Sequence, residues 1–214
     1  MSIDVVANMK ARVGRQLRSD GDDVLPWAGR QADLVSQPFG RFYQAALDGY
    51  LFHAMTLDAG VTPLQDRNAA AGEVSLYNPN GSGVNGVLLY VARVYMSGTF
   101  VAGDTILAAN TNPASAATTG TDLAVVNAKL SAGAGVLRPL HTTTLPEVPT
   151  LVRPIFNIHL WTGATTDTGD RDLVPIEGGI IIPPGCCISI ISQMGGAGSS
   201  PLLAYGMMWA EVPA

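Results

Sequence analysis

Read for the alternation of apolar and polar positions, the chain is organised around Glu73 to Met96, EVSLYNPNGSGVNGVLLYVARVYM, which predicts strand, turn, strand. Glu73-Val-Ser-Leu-Tyr alternates as a half-buried strand does. Asn78-Pro-Asn-Gly-Ser-Gly is dense in turn residues, because proline presets φ and Asn and Gly tolerate the positive φ that other residues resist. The run from Gly86 to Met96 is apolar on both faces. Leu88, Tyr90, Ala92, Val94 and Met96 fall on one, Val87, Leu89, Val91 and Tyr95 on the other, and only Arg93 breaks the run. Such a strand belongs in the middle of a sheet with something packed on each side.

The same reading, carried along the chain, predicts the remaining elements. Ile3 to Arg18 is a helix, with Val6, Met9, Val13 and Leu17 at helical spacing, ended by Ser19-Asp-Gly. Val24 to Gly40 has apolar anchors, Trp27, Leu34 and Phe39, but no period. It is either an arm ordered by contact with another surface or a loop wrapped over its own domain. Arg41 to Met55 holds two apolar runs around Asp48-Gly49, a hairpin signal. Thr56 to Gly72 is loop. Short strands follow at Thr99 to Val101 and Thr105 to Ala109. Asn110 to Gly135 is rich in small polar residues, with a short helix predicted over Asp122 to Leu130. Leu137 to Pro154, with four prolines, reads as an extended crossover from one sheet to another, as a Greek key requires. Further strands are predicted at Ile155 to Trp161, Leu173 to Glu177 (an edge strand, given Pro175), Gly178 to Pro183, Cys186 to Met194 and Leu202 to Val212, with a turn at Pro184-Gly185. The fold class is all-β: an antiparallel β-sandwich, jelly-roll-like, over residues 41–214, preceded by an N-terminal helix and extended arm over residues 1–40.

Composition adds a constraint on use. Only 14% of the 214 residues are charged while 47% are hydrophobic. No apolar run reaches the roughly 18 residues needed to cross a bilayer, and no basic stretch followed by an apolar one suggests a signal peptide. Neither a membrane nor export is therefore expected. Surplus apolar surface without a membrane segment points to burial between subunits, hence to an assembling protein. The net charge of −5 disfavours specific nucleic-acid binding. Locally, Lys10, Arg12, Arg15 and Arg18 form a basic run, read either as a solvated helix face or as a contact for an acidic partner surface. With Trp27 and Phe39 they are the candidate partner-binding residues of the arm.

Chemistry is hard to find in the pattern. His53, His141 and His159 lack metal-ligand spacing, and His53 and His159 fall inside predicted strands as half-buried residues. There is no nucleophile elbow and no lysine-bearing phosphate loop. Asp20, Asp22 and Asp23 lack the rest of a calcium loop. Asp167, Asp170 and Asp172 are read as a solvated loop, with an adventitious surface cation as the alternative. Cys186 and Cys187 are adjacent in a strand, so they point to opposite faces and do not bridge. The glutamates, Glu73, Glu147, Glu177 and Glu211, suggest no catalytic pair. The expectation is no enzyme and no cofactor.

SLYNPNGSGVNGVLLYVARVYMSGTFVAGD resembles the Asn-Pro-x-Gly-Ser-Gly-x-Asn hairpin of small β-sandwich structural proteins of tailed bacteriophages. The late Pro-Pro-Gly turn, the strand CCISIIS and the ending YGMMWAEVP fit the same pattern, so the resemblance covers roughly residues 41 to 214. Val84 stands where that hairpin often carries a lysine, so no anion contact is carried over. The resemblance implies a virion component, often trimeric, assembled in the host bacterial cytoplasm. The first expectation is a capsid decoration (cement) protein that forms a homo-oligomer over junctions of the major capsid protein. The alternative is a tail-fibre, spike or head-fibre component that binds a host receptor.

Overall fold

Runs of β-branched and aromatic residues broken by Gly, Pro and Asn leave this chain little option but extended structure, and strands dominate its computed structural model. The structure describes residues 42–56, 60–64, 68–98, 103–111, 118–130, 133–158, 171–194 and 201–214. The chain divides into two units, Met1–Arg41 and Phe42–Ala214, and all described residues belong to the second. The helix and arm expected over residues 1–40 lie outside them, as do the short strand expected at Thr99 to Val101 and the end of that expected at Ile155 to Trp161.

After a short helix, α1 (Tyr43–Leu47), come eleven strands: β1 (Leu51–Met55), β2 (Ala71–Tyr77), β3 (Val84–Ser97), β4 (Gly103–Asn110), β5 (Thr119–Asp122), β6 (Val125–Asn127), β7 (Arg138–Thr144), β8 (Thr150–Ile158), β9 (Arg171–Ile182), β10 (Cys187–Met194) and β11 (Leu202–Pro213). They form a five-stranded sheet, β6-β1-β11-β3-β9, and a six-stranded sheet, β5-β7-β2-β10-β4-β8, antiparallel throughout. The pairing is nested. β1 pairs β11, β2 pairs β10, β3 pairs β9 and β4 pairs β8. That is the jelly-roll order, with β5, β6 and β7 inserted between the fourth and fifth strands of the roll. The inner faces meet in one core that includes Leu76, Leu88, Leu107, Ile188, Ile190, Leu203 and Trp209, with the Phe52 and Trp209 rings stacked at 6.0 Å.

Four local expectations are overturned. Glu73 to Met96 is not a hairpin, because β2 and β3 lie in different sheets. The turn instead arches the chain between layers, with Gly81 and Gly83 at φ 73° and 70°. Asn78 fixes that arch. Its side-chain amide donates to Val84 O at 2.7 Å and Ile182 O at 2.8 Å, while its backbone bonds Cys186 O and Gly185 N. Around Asp48-Gly49 there is no hairpin either: Tyr43–Leu47 is helical and Gly49, at φ 78°, ends that turn before β1. The helix expected over Asp122 to Leu130 is instead the last residue of β5, the short strand β6 and a turn, since Leu123 is drawn into the core and Val125–Asn127 pairs β1. Finally, Leu137 to Pro154 does not cross between sheets. It holds β7 and most of β8, both in the six-stranded sheet.

β3 also departs from strict alternation. Register shifts on both sides of Leu88–Tyr90 mark a bulge. As a result Leu88, Val91 and Arg93 face inward, while Tyr90 faces out. An extra residue in one strand flips every later side chain to the other face. A second irregularity, at Glu177 and Gly178 with φ 56° and 81°, lets the predicted edge strand and the Gly-Gly-Ile-Ile-Ile run form one strand, β9.

Candidate functional site

The two sheets treat their outer faces differently. Behind the six-stranded sheet the chain covers itself. Leu145, just after β7, packs with Tyr77, Leu140 and Cys187 in a second buried cluster, and Thr118, just before β5, donates to Cys187 Sγ at 3.4 Å. Beneath them the Ser75 hydroxyl lies 2.6 Å from Ser189 and 2.8 Å from Thr143, all three buried. Here the covered side is tied by hydroxyls as well as by apolar contact. Cys186 belongs to the main core and Cys187 to the second cluster, so the adjacent thiols do face opposite ways, and burial pushes both above the ordinary thiol range.

The outer face of the five-stranded sheet is different. His53 and Met55 of β1, Met208 of β11, Tyr90 of β3, Leu173 of β9 and Val126 of β6 line an open groove of about 550 Å³. No Asp, Glu, Lys or Arg is among its described lining residues. Met55, Val126 and Leu173 are 56%, 48% and 60% exposed, well above what an apolar side chain retains in a core. The Phe42 ring stands edge-on to Tyr90 at 5.8 Å. Burial lowers the His53 pKa, so at neutral pH the groove carries no charge from its described residues.

Inside the sandwich sits a polar network that sequence reasoning missed. The ladder between β2 and β10 ends at Val74–Ile190, and the next free amide, that of Ser192, donates to Glu73 Oε1 at 2.7 Å. Leu64 N–H donates to the same oxygen at 2.8 Å. The Ser192 hydroxyl lies 3.0 Å from Oε2 and 3.1 Å from the Tyr205 hydroxyl, which also bonds the carboxyl. The chain of hydroxyls continues from Ser192 to Thr105 at 2.9 Å and to Arg93 Nη1 at 3.4 Å. Arg93 itself, 6% exposed, lies over the Phe156 ring at 4.6 Å, a desolvated cation–π contact. Burial raises the Glu73 carboxyl to about 7, against hydrogen bonds that act to lower it. The same burial, with Glu73 beside it, lifts the Tyr205 phenol well above its ordinary value.

A second buried carboxylate has a structural task. Glu211 accepts from Val136 N and Leu137 N at 2.8 to 3.0 Å and from Trp209 Nε1 at 3.2 Å, so it anchors the segment leading into β7. Glu73 and Glu211 thus serve separate ends of the core, and nothing in the described residues brings two carboxyls together for hydrolysis. No group of potential metal ligands forms among the described residues. His141 bonds the Thr142 hydroxyl at 3.2 Å. Lys10, Arg12, Arg15, Arg18, Trp27 and Phe39, together with Asp20, Asp22, Asp23, His159, Asp167 and Asp170, lie outside the described residues; of Asp172 only the backbone is described.

Fold and surface together define a jelly-roll β-sandwich whose described residues form an open apolar groove on the outer face of the five-stranded sheet. No protein-family model matches the chain, and no curated protein or solved structure matches it significantly.

Proposed function

We propose that the protein is a structural component of a bacteriophage virion, a capsid decoration (cement) protein that forms a homo-oligomer, in the first place a trimer, and stabilises the shell. The observation that carries this reading is the open groove that the described residues form on the outer face of the five-stranded sheet. Apolar, and without a charged side chain among its described lining residues, it is the kind of surface a soluble monomer does not keep in water. Its proposed occupant is a second copy of the chain. The described lining of the groove holds no charged residue, so on these residues two copies meet there without like-charge repulsion. The basic residues Lys10, Arg12, Arg15 and Arg18, with Trp27 and Phe39, are assigned in this reading to the surface of the major capsid protein. The resemblance of the turn-and-strand motifs to phage sandwich proteins supports the virion.

Light scattering on the purified full-length chain at micromolar concentration tests the assembly. The expected mass is three times the 22.3 kDa chain. The double variant Leu173→Asp, Met208→Asp is expected to fall to a single-chain mass with its strand spectrum intact. A wild-type chain that runs as a monomer would overturn the proposal. Gold-labelled antibody on purified particles tests the place: label on heads is expected, and label confined to tails would overturn the decoration assignment.

A further inference from the structure

The stretch 60–64 between β1 and β2 has no strand ladder of its own. Its described backbone bonds are a two-bond bridge, Val61 N to Leu203 O at 2.7 Å and Leu203 N to Val61 O at 3.0 Å, and the Leu64 bond to Glu73. Val61 adds one buried side chain to that hold, 7% exposed in the main core. The stretch therefore opens as a local unit at the cost of that burial and these few bonds, well below the cost of opening the whole fold. The carboxyl that holds this stretch is 1% exposed and also binds β10 and β11, so four parts of the chain meet at a single titratable group.

The surroundings of that group determine how it responds. From β10 it meets the Ser192 amide and hydroxyl, and from β11 the Tyr205 phenol, which stays protonated. The 60–64 stretch contributes no titratable side chain. β4 presents Thr105, whose hydroxyl meets both Ser192 and, at 3.4 Å, the β3 guanidinium of Arg93. On β7, His141 pairs with Val74 but bonds Thr142. Every described direct partner of Glu73 is therefore neutral. The hydroxyls of Ser192, Thr105 and Tyr205 can each donate or accept, so the network accommodates a protonated carboxyl by reversing direction. An ionised one, by contrast, bears a burial cost that these hydrogen bonds offset only in part, with no cation among its described direct partners.

We propose that Glu73 is a proton-controlled latch: protonated, it keeps the 60–64 stretch closed over the end of β10 and β11, and ionised, it lets that stretch open to water. Closing favours the proton, because the enclosed carboxyl titrates near 7 while a hydrated one titrates near 4.5. By linkage, opening of the stretch grows about 70-fold between about pH 5 and about pH 8.

Amide hydrogen exchange of the full-length chain over that pH range, corrected for intrinsic exchange rates, reads the latch directly. Peptides covering residues 60–64 and the Ser192 amide should lose protection by that factor, while those from the centre of β3 should not. In Glu73→Gln, which keeps the shape and cannot ionise, the pH dependence should vanish. A wild-type stretch whose protection is flat across the range, or a Glu73→Gln chain that keeps the slope, would overturn the proposal. Should that variant not fold, the infrared carboxylic-acid band of the wild type decides. It should persist near pH 6, where exposed carboxyls have lost theirs, and its absence there would refute the latch.

Discussion

Replacing Asn78 tests how the two layers are joined. The residue is fully buried, and its side-chain amide caps two carbonyls, Val84 O at the start of β3 and Ile182 O at the end of β9. Asn78→Ala removes both donors. A buried acceptor left unsatisfied costs about 1–3 kcal/mol. Ile182 O and Val84 O each lose this donor, and Val84 O retains the Ser82 hydroxyl at 3.2 Å. Adding the small cavity, the expected loss is about 3 kcal/mol. Asn78→Asp sharpens the case. It fills the same volume but sets carboxylate oxygens against two carbonyl oxygens, so at neutral pH it should be worse than alanine by at least ~1 kcal/mol. Urea unfolding followed by tryptophan fluorescence, which reports on buried Trp209 in the core, gives both values from the shift in midpoint at constant slope. An alanine cost below about 0.5 kcal/mol, the range of an inert surface change, or an aspartate no worse than alanine would rule out this role for Asn78.

Other outcomes follow from the buried carboxylates. Because the folded-state pKa of Glu73 is raised from 4.5 to about 7, its contribution to stability is full below about pH 4.5 and is lost as the pH rises through 7. The loss is at most about 3 kcal/mol, so urea midpoints should fall over that window and Glu73→Gln should remove this part of the fall. Gly135→Ala places a methyl 2.4 Å from Glu211 Oε1, and the segment before β7 must shift off its anchor. A loss of about 2 kcal/mol is expected, lowering the thermal midpoint by some 4–8 °C for a domain of this size, whereas Gly133→Ala, which meets nothing, should be near neutral.

Strand identity was largely legible because period-2 alternation and turn chemistry are local properties. β10 and β11 begin and end within a residue or so of the runs Cys186 to Met194 and Leu202 to Val212, bounded by glycine and proline. Partner choice was not legible. Asn78 to Gly83 carries every signal of a hairpin turn, and whether such a turn folds a strand onto its neighbour or arches it to another layer depends on Asn78 meeting Ile182, which lies far along the chain. The bulge at Leu88–Tyr90 was equally hidden, since Leu88 and Tyr90 look equivalent until the facing Trp209 and Met208 set the register. Tyr43–Leu47 shows the opposite failure: five residues beside Asp48-Gly49 are too few for a period to declare itself. As for the site, Arg93 stood out as the one charge in an apolar run. Glu73 did not, because an acidic residue at the edge of an alternating strand usually faces water, and only the end of the β2–β10 ladder turns it inward.

The nested pairing has a consequence for synthesis on the ribosome. β1 and β3 flank β11, so neither can complete its hydrogen bonding until the last strand of the sandwich has left the exit tunnel. Through most of translation two apolar strands therefore wait with open edges, a state open to mispairing with neighbouring nascent chains. Closure must then proceed through contacts between opposite ends of the chain, which makes folding slow. A chain built this way gains from slow elongation less than from a holding chaperone, and its yield when overexpressed should depend on chaperone supply more than on temperature-tuned translation rate.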